Sequence, residues 1–169
     1  MDPEIILRLL ALIAALSIHE FSHALAAEYL GDPTAKLKNR LTLNPIAHLD
    51  PIGTLMFVIT LFGTGVIFGW GKPVPVDPYN LKNPKKDMAL IALAGPASNL
   101  ITAILVAILF RVVGILNIDI ISQTLIPFFS TFMSLSIFLA VFNLFPVPPL
   151  DGSKILYGIL PSKQAQITA

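Results

Sequence analysis

The stretch IILRLLALIAALSIHEFSHALAAEY, residues 5–29, is apolar enough to cross a membrane, yet it carries His19, Glu20 and His23 near its end. Such a segment is expected to be a helix, because in hydrocarbon every backbone N–H and C=O must be bonded within the chain. On a helix His19 and His23 lie one turn apart on one face, where both imidazoles can bind a single zinc ion. Glu20 stands beside them, suited to take a proton from water that the metal has activated. The chain has only 3 His, and a chance His-Glu-x-x-His is expected on the order of once in a thousand such chains. Ionisable side chains at membrane depth are costly and usually functional.

Composition fixes the class. Apolar residues make up 55% of the chain, charged residues 12%, and the mean hydropathy is +0.80, values that ordinary soluble domains do not reach. At 169 residues there is room for one membrane-embedded domain, 1–169, and no second globular one. No basic tract with interleaved aromatics is present, so no nucleic-acid partner is expected. With no cysteine, thiolate metal sites, thiol nucleophiles and disulfides are excluded. Any transition metal must use His, Asp or Glu.

Three apolar runs are long enough to span as helices: Ile5 to Tyr29, about Met88 to Leu116, and about Ile120 to Phe145. A fourth, Ile52 to Trp70, is interrupted by Gly53, Gly63, Gly65 and Gly69. Ala24-Leu25-Ala26 resembles a signal-peptide cleavage site. Two His and a Glu just before it, and Asp2 and Glu4 ahead of a lone Arg8, argue against that reading. The first run is expected to stay in the mature protein.

Basic residues set the orientation. Lys36, Lys38 and Arg40 follow the first run, Lys72, Lys82, Lys85 and Lys86 precede the second, and Lys154 and Lys163 follow the last. The positive-inside rule puts both flanks of 52–70 on the cytoplasmic side. That segment should therefore dip in and return, the alternative being an ordinary fourth transmembrane helix. The expected fold is an all-α membrane protein: three core transmembrane helices, a re-entrant or short fourth hydrophobic segment, and a broken Pro-rich end to the last helix. The first and last helices then run in the same direction and end near the cytoplasmic face. There the chain reads Asn143-Leu144-Phe145-Pro146-Val147-Pro148-Pro149-Leu150-Asp151-Gly152, which the prolines break and Gly152 lets turn.

A catalytic zinc site usually takes three protein ligands and leaves a position for water. Glu28 lies on the same helix as the His pair and cannot close the site. His48, Asp50 and Asp151 remain. Topology favours Asp151, with His48 kept open because Asn44–His48 is turn-rich and near the same face. Asp32, Asp77, Asp87 and Asp119 are expected to be solvated loop or cap residues.

These residues carry a family resemblance. His-Glu-x-x-His in the first membrane helix and Asn-x-x-Pro-x-Pro-x-Leu-Asp-Gly at 143–152 resemble the site-2 protease family of intramembrane zinc metalloproteases. Gly95-Pro96-Ala97-Ser98-Asn99 is similar to that family's middle core helix. The resemblance implies a three-helix catalytic core, zinc held by His19, His23 and Asp151, and Glu20 as general base. It also implies cleavage of membrane-embedded substrates near the cytoplasmic face. Unlike larger members, the chain has no room for a PDZ or CBS domain.

The expected activity is a zinc metalloendopeptidase of a prokaryotic cell membrane that cuts single-span membrane protein substrates within the lipid bilayer. Its oligomeric state stays open. Asn99 and Asn143 are intramembrane amides that could bind the substrate backbone or oxyanion, or serve as interhelical links and caps. A substrate helix hides its amides, so helix-breaking residues in it should favour cleavage. Rival readings are a metal or ion transporter, whose paired broken helices are missing from the pattern, and a non-catalytic adaptor with structural zinc, which needs no Glu20. Pro73–Pro78 reads as an extended loop that could line a groove. Lys82–Lys86 reads as a patch facing anionic lipid. Ile155, Leu156, Ile159 and Leu160 could form one amphipathic turn on the membrane.

Overall fold

The computed structural model describes residues 3–63, 70–115 and 125–161. The Asp119 connection, Lys163 and the middle of the 52–70 segment fall outside them. The described residues are mostly helical, with no strand among them. Helix α1 spans Pro3–Leu30, α2 Thr34–Leu37, α3 Pro51–Gly63, α4 Pro84–Ile115, α5 Leu125–Asn143 and α6 Asp151–Ile159, with 3-10 turns at Pro45–His48 and Pro78–Asn80.

Helices α1, α4 and α5 are long and apolar enough to cross a membrane, with mean hydropathies of 1.8, 2.1 and 2.1 in their most apolar windows. Only 17–22% of those windows is buried inside the protein. The remaining apolar surface needs a nonpolar solvent, and the bilayer supplies it.

Neighbouring residues give the helix directions. His23 meets Ile91 and His19 meets Asn99, so α4 runs antiparallel to α1. Ala11 and Ala15 pack with Phe132 and Val106, while His19 and His23 meet Asp151 just past α5. Helices α1 and α5 therefore run the same way, as the charge pattern requires. Alanines at 11 and 15 let α5 aromatics approach α1, and Phe110, Phe128 and Phe129 fill the space around them.

The fourth hydrophobic segment does not cross. The segment's ends lie side by side: Leu49 bridges Gly71, and Lys72 N–H donates to His48 C=O at 2.8 Å. A Cβ on Gly53 would sit 2.2 Å from the Trp70 carbonyl oxygen, so glycine is what allows this approach. Both flanks are thus on one side, which sets the fourth-span alternative aside.

Helix α1 ends in a Schellman motif: Gly31 N–H donates to Glu28 C=O and Asp32 N–H to Ala27 C=O, with Gly31 at φ 109°. Asp32, expected to be solvated, is instead 0% exposed. Its carboxylate accepts from Thr34 N–H (3.1 Å), Asp77 N–H (2.7 Å) and Asn80 Nδ2 (2.8 Å), tying the end of α1 to the 73–80 loop. Those donors outweigh burial and hold its carboxyl below the ordinary range. Asp87 is also buried and accepts the Asn83 N–H at 2.8 Å, closing the start of α4. Asp77 caps the Pro78–Asn80 turn through Tyr79 N–H, as a cap residue should. The tail expected to form one turn is the nine-residue α6, whose Gly158 packs on Ala89 of α4.

Candidate metal centre

The site is built where α1, α4 and the start of α6 converge. His19 and His23 project from one face of α1, with ring centroids 4.6 Å apart and planes at 89°. Asp151 is the first residue of α6, so the unwound stretch is 144–150 and the aspartate opens a new helix. Pro146, Pro148 and Pro149 remove N–H groups there, and the chain turns through Val147 N–H to Phe145 C=O (2.8 Å) and Leu150 N–H to Val147 C=O (2.9 Å). Gly152 lets α6 press against the end of α5, since a Cβ would fall 2.2 Å from the Leu144 carbonyl oxygen.

Three donor atoms meet. Asp151 Oδ2 lies 3.1 Å from both His19 Nε2 and His23 Nε2, and the two Nε2 atoms are 3.0 Å apart. The residues are 3%, 7% and 7% exposed. The Asp151 carboxyl is pushed up by burial, but the two imidazoles outweigh that, so it rests below the ordinary carboxylate range and stays ionised. Lys154 Nζ stands 3.8 Å from its other oxygen.

His23 Nδ1 lies 2.7 Å from Ile91 C=O, to which it can only donate, so Nε2 is the nitrogen left to face the cluster. Helix α4 comes this close because residue 95 is glycine. A Cβ there would lie 2.5 Å from His23 Cε1 and Nε2 and 2.7 Å from His19 Cε1.

Two imidazole nitrogens and a carboxylate oxygen aimed at one point need positive charge between them, which either a proton on an imidazole or a metal ion supplies. The donors suit zinc, whose bonds of about 2.0–2.2 Å in a tetrahedral arrangement set ligand atoms roughly 3.3 Å apart. Among the described residues, His19, His23 and Asp151 are the cluster able to hold a metal ion.

The other expected residues lie around this cluster or away from it. Glu20 follows His19 in sequence and stands outside the three-residue cluster, and its Oε2 is buried with no protein partner. His48 is away from the cluster. It is fully buried, Nε2 donates to Thr42 C=O at 2.8 Å, and its own carbonyl accepts from Lys72. Asp50 caps α3, accepting from Ile52 N–H (3.0 Å) and Gly53 N–H (2.8 Å). Asn143 donates to Leu139 C=O on its own helix at 3.0 Å. Asn99 is 0% exposed, with Nδ2 3.2 Å from His19 Nδ1. Sequence reasoning missed the roles of Gly95 and the Ile91 carbonyl. A glycine before a proline inside an apolar helix was the available sign of close backbone approach. It also missed Arg40, which is buried and donates to Lys72 C=O.

Comparison with known proteins gives the family. The family model for Peptidase family M50 matches residues 109–168, a range that includes Asp151. "Putative zinc metalloprotease YwhC" of Bacillus subtilis is 40% identical over 155 residues, covering 90% of this chain and 68% of that protein. Rip2 of Mycolicibacterium smegmatis, given the same description, is 32% identical over 155 residues, covering 88% of this chain and 53% of its own length. Rip2 of Mycobacterium tuberculosis is 32% identical over 143 residues, covering 83% of this chain and 52% of its own. The chain thus spans about two thirds of the first relative and about half of the others. No solved structure matches it. The site geometry and the relationship to YwhC lead to one assignment: the chain belongs to peptidase family M50, the site-2 protease family of membrane zinc metalloproteases.

Proposed function

We propose that this chain is the catalytic core of an intramembrane endopeptidase that cuts the membrane-spanning segments of single-span proteins, near the cytoplasmic face of a prokaryotic cell membrane. His19, His23 and Asp151 are its zinc ligands and Glu20 is its general base. The observation that carries this reading is the convergence of three buried donors beside a buried carboxylate oxygen with no protein partner.

Bound there, zinc supplies Lewis acidity toward water and the scissile carbonyl. The remaining work falls to the chain. Glu20 Oε2, unengaged by protein, accepts the proton of the attacking water and passes it to the leaving amine nitrogen. His23 is held by Ile91 C=O so that its Nε2 faces the ligand cluster. Asp151 brings the negative charge that offsets a dication at a depth where an unpaired charge is expensive. Asn143, its Nδ2 engaged by Leu139, keeps Oδ1 for a substrate backbone N–H. The cytoplasmic placement rests on the basic flanks around α2, the 71–86 segment and α6, which gather at the end of the bundle where α1 finishes and α4 begins.

The test is cleavage in proteoliposomes. Purified protein loaded with zinc is given single-span substrates with and without a helix-breaking pair in the span, and products are mapped by mass spectrometry. Cuts inside the span, faster with the helix breaker and abolished by a chelator, support the reading. Cuts confined to soluble loops would sink it.

A further inference from the structure

Asn99, readable as a substrate-binding amide or as an interhelical link, is fully enclosed and its amide lies on His19. The two orientations of that amide have opposite consequences. With Nδ2 toward His19 at 3.2 Å, the amide donates, Nδ1 must be bare, and the imidazole proton sits on Nε2. That proton would occupy the point where the Nε2 atoms and Asp151 Oδ2 converge. With the amide turned over, Oδ1 accepts the Nδ1–H and the Nε2 lone pair faces the cluster. Oxygen and nitrogen of an amide are assigned from the hydrogen-bond network. Here the cluster favours the second orientation, because it leaves the His19 Nε2 lone pair facing His23 Nε2 and Asp151 Oδ2, where a metal ion would lie. His23 obeys the same rule through the Ile91 carbonyl.

We infer that Asn99 is a positioning residue for the metal site: Oδ1 accepts the His19 Nδ1–H and fixes the metal-binding tautomer. This rests on the reading of His19 and His23 as ligands. Outer partners of this kind are worth about tenfold to a hundredfold in metal affinity.

Zinc affinity of the full chain in detergent, measured by competition with a chromophoric chelator, is the test. Asn99→Leu removes the acceptor and should lose about tenfold to a hundredfold in affinity. Asn99→Asp can only accept and should bind zinc within about threefold of wild type, whereas an amide that acts as donor would make it fail like the Leu variant. Nitrogen-15 NMR of the zinc-loaded protein should show the His19 proton on Nδ1, a readout independent of folding differences among variants. Unchanged affinity in Asn99→Leu, or equal losses in the Asp and Leu variants, overturns this inference alone. A wild-type chain that binds no zinc overturns it together with the ligand assignment.

Discussion

Gly95→Ala is the sharpest perturbation this site offers, because one methyl group strikes both imidazoles. The new Cβ would stand 2.5 Å from His23 Cε1 and Nε2 and 2.7 Å from His19 Cε1, while ordinary contact begins at 3.4 Å. Relief requires a shift of 3.4 − 2.5, or 0.9 Å, between α4 and α1. A retreat of that size takes the His23 Nδ1 to Ile91 C=O distance from 2.7 Å to about 3.6 Å and the Asn99–His19 distance from 3.2 Å to about 4.1 Å, both beyond hydrogen bonding. Two supports worth about tenfold to a hundredfold each are lost together, so zinc affinity should fall by roughly 10² to 10⁴. Overpacking adds about 1–3 kcal/mol of destabilisation. Chelator competition and a thermal melt of the zinc-loaded and chelated protein separate the two effects. Wild-type zinc affinity in Gly95→Ala would refute the claim that α4 presses its backbone onto the imidazoles.

Three further outcomes are expected. Glu20→Gln should keep zinc within about twofold yet lower cleavage by at least 10² to 10⁴; near-normal turnover would remove Glu20 from the base role. Asp151→Asn should release zinc to a mild chelator, whereas His48→Ala should keep it and lose only stability, since His48 bonds Thr42 and lies outside the donor cluster; the reverse pattern would make His48 the third ligand. Asp32→Ala should cost about 2–4 kcal/mol by stranding buried donors. The folded Asp32 carboxyl is depressed, so its stabilisation is present above the unfolded value near 3.9 and lost as pH falls through the folded value; an acid-melting profile identical in wild type and variant would contradict this.

Legibility in the sequence followed the range of the interaction concerned. His19, Glu20 and His23 needed only one helical turn to be read. Asp151 needed the orientation of two spans, which the basic flanks supplied, and the side-by-side ends of 52–70 follow from the same charges. Hydropathy placed the start of α4 at Met88, four residues late. Its first turn holds Lys85, Lys86 and Asp87, and Asp87 serves as a buried cap that a hydropathy scan cannot see. Asp32 read as a loop residue because its partners Asp77 and Asn80 lie more than forty residues downstream. His48 looked like a ligand for the opposite reason, since nothing local revealed that Thr42 and Lys72 already engage it. Gly95 shows how far pattern reading reaches: the glycine was visible, but what it must admit depends on where α1 points its imidazoles.

The central claim is a metal held by two imidazoles and one carboxylate, and X-ray absorption at the zinc edge of the purified, zinc-loaded chain tests it most directly. Scattering from two imidazoles at about 2.0–2.1 Å with carboxylate or water oxygen at about 2.0–2.2 Å is expected, with one imidazole lost in His19→Ala and the oxygen shell altered in Asp151→Asn. A spectrum with three imidazoles, or zinc that washes away from the wild-type protein, would contradict it.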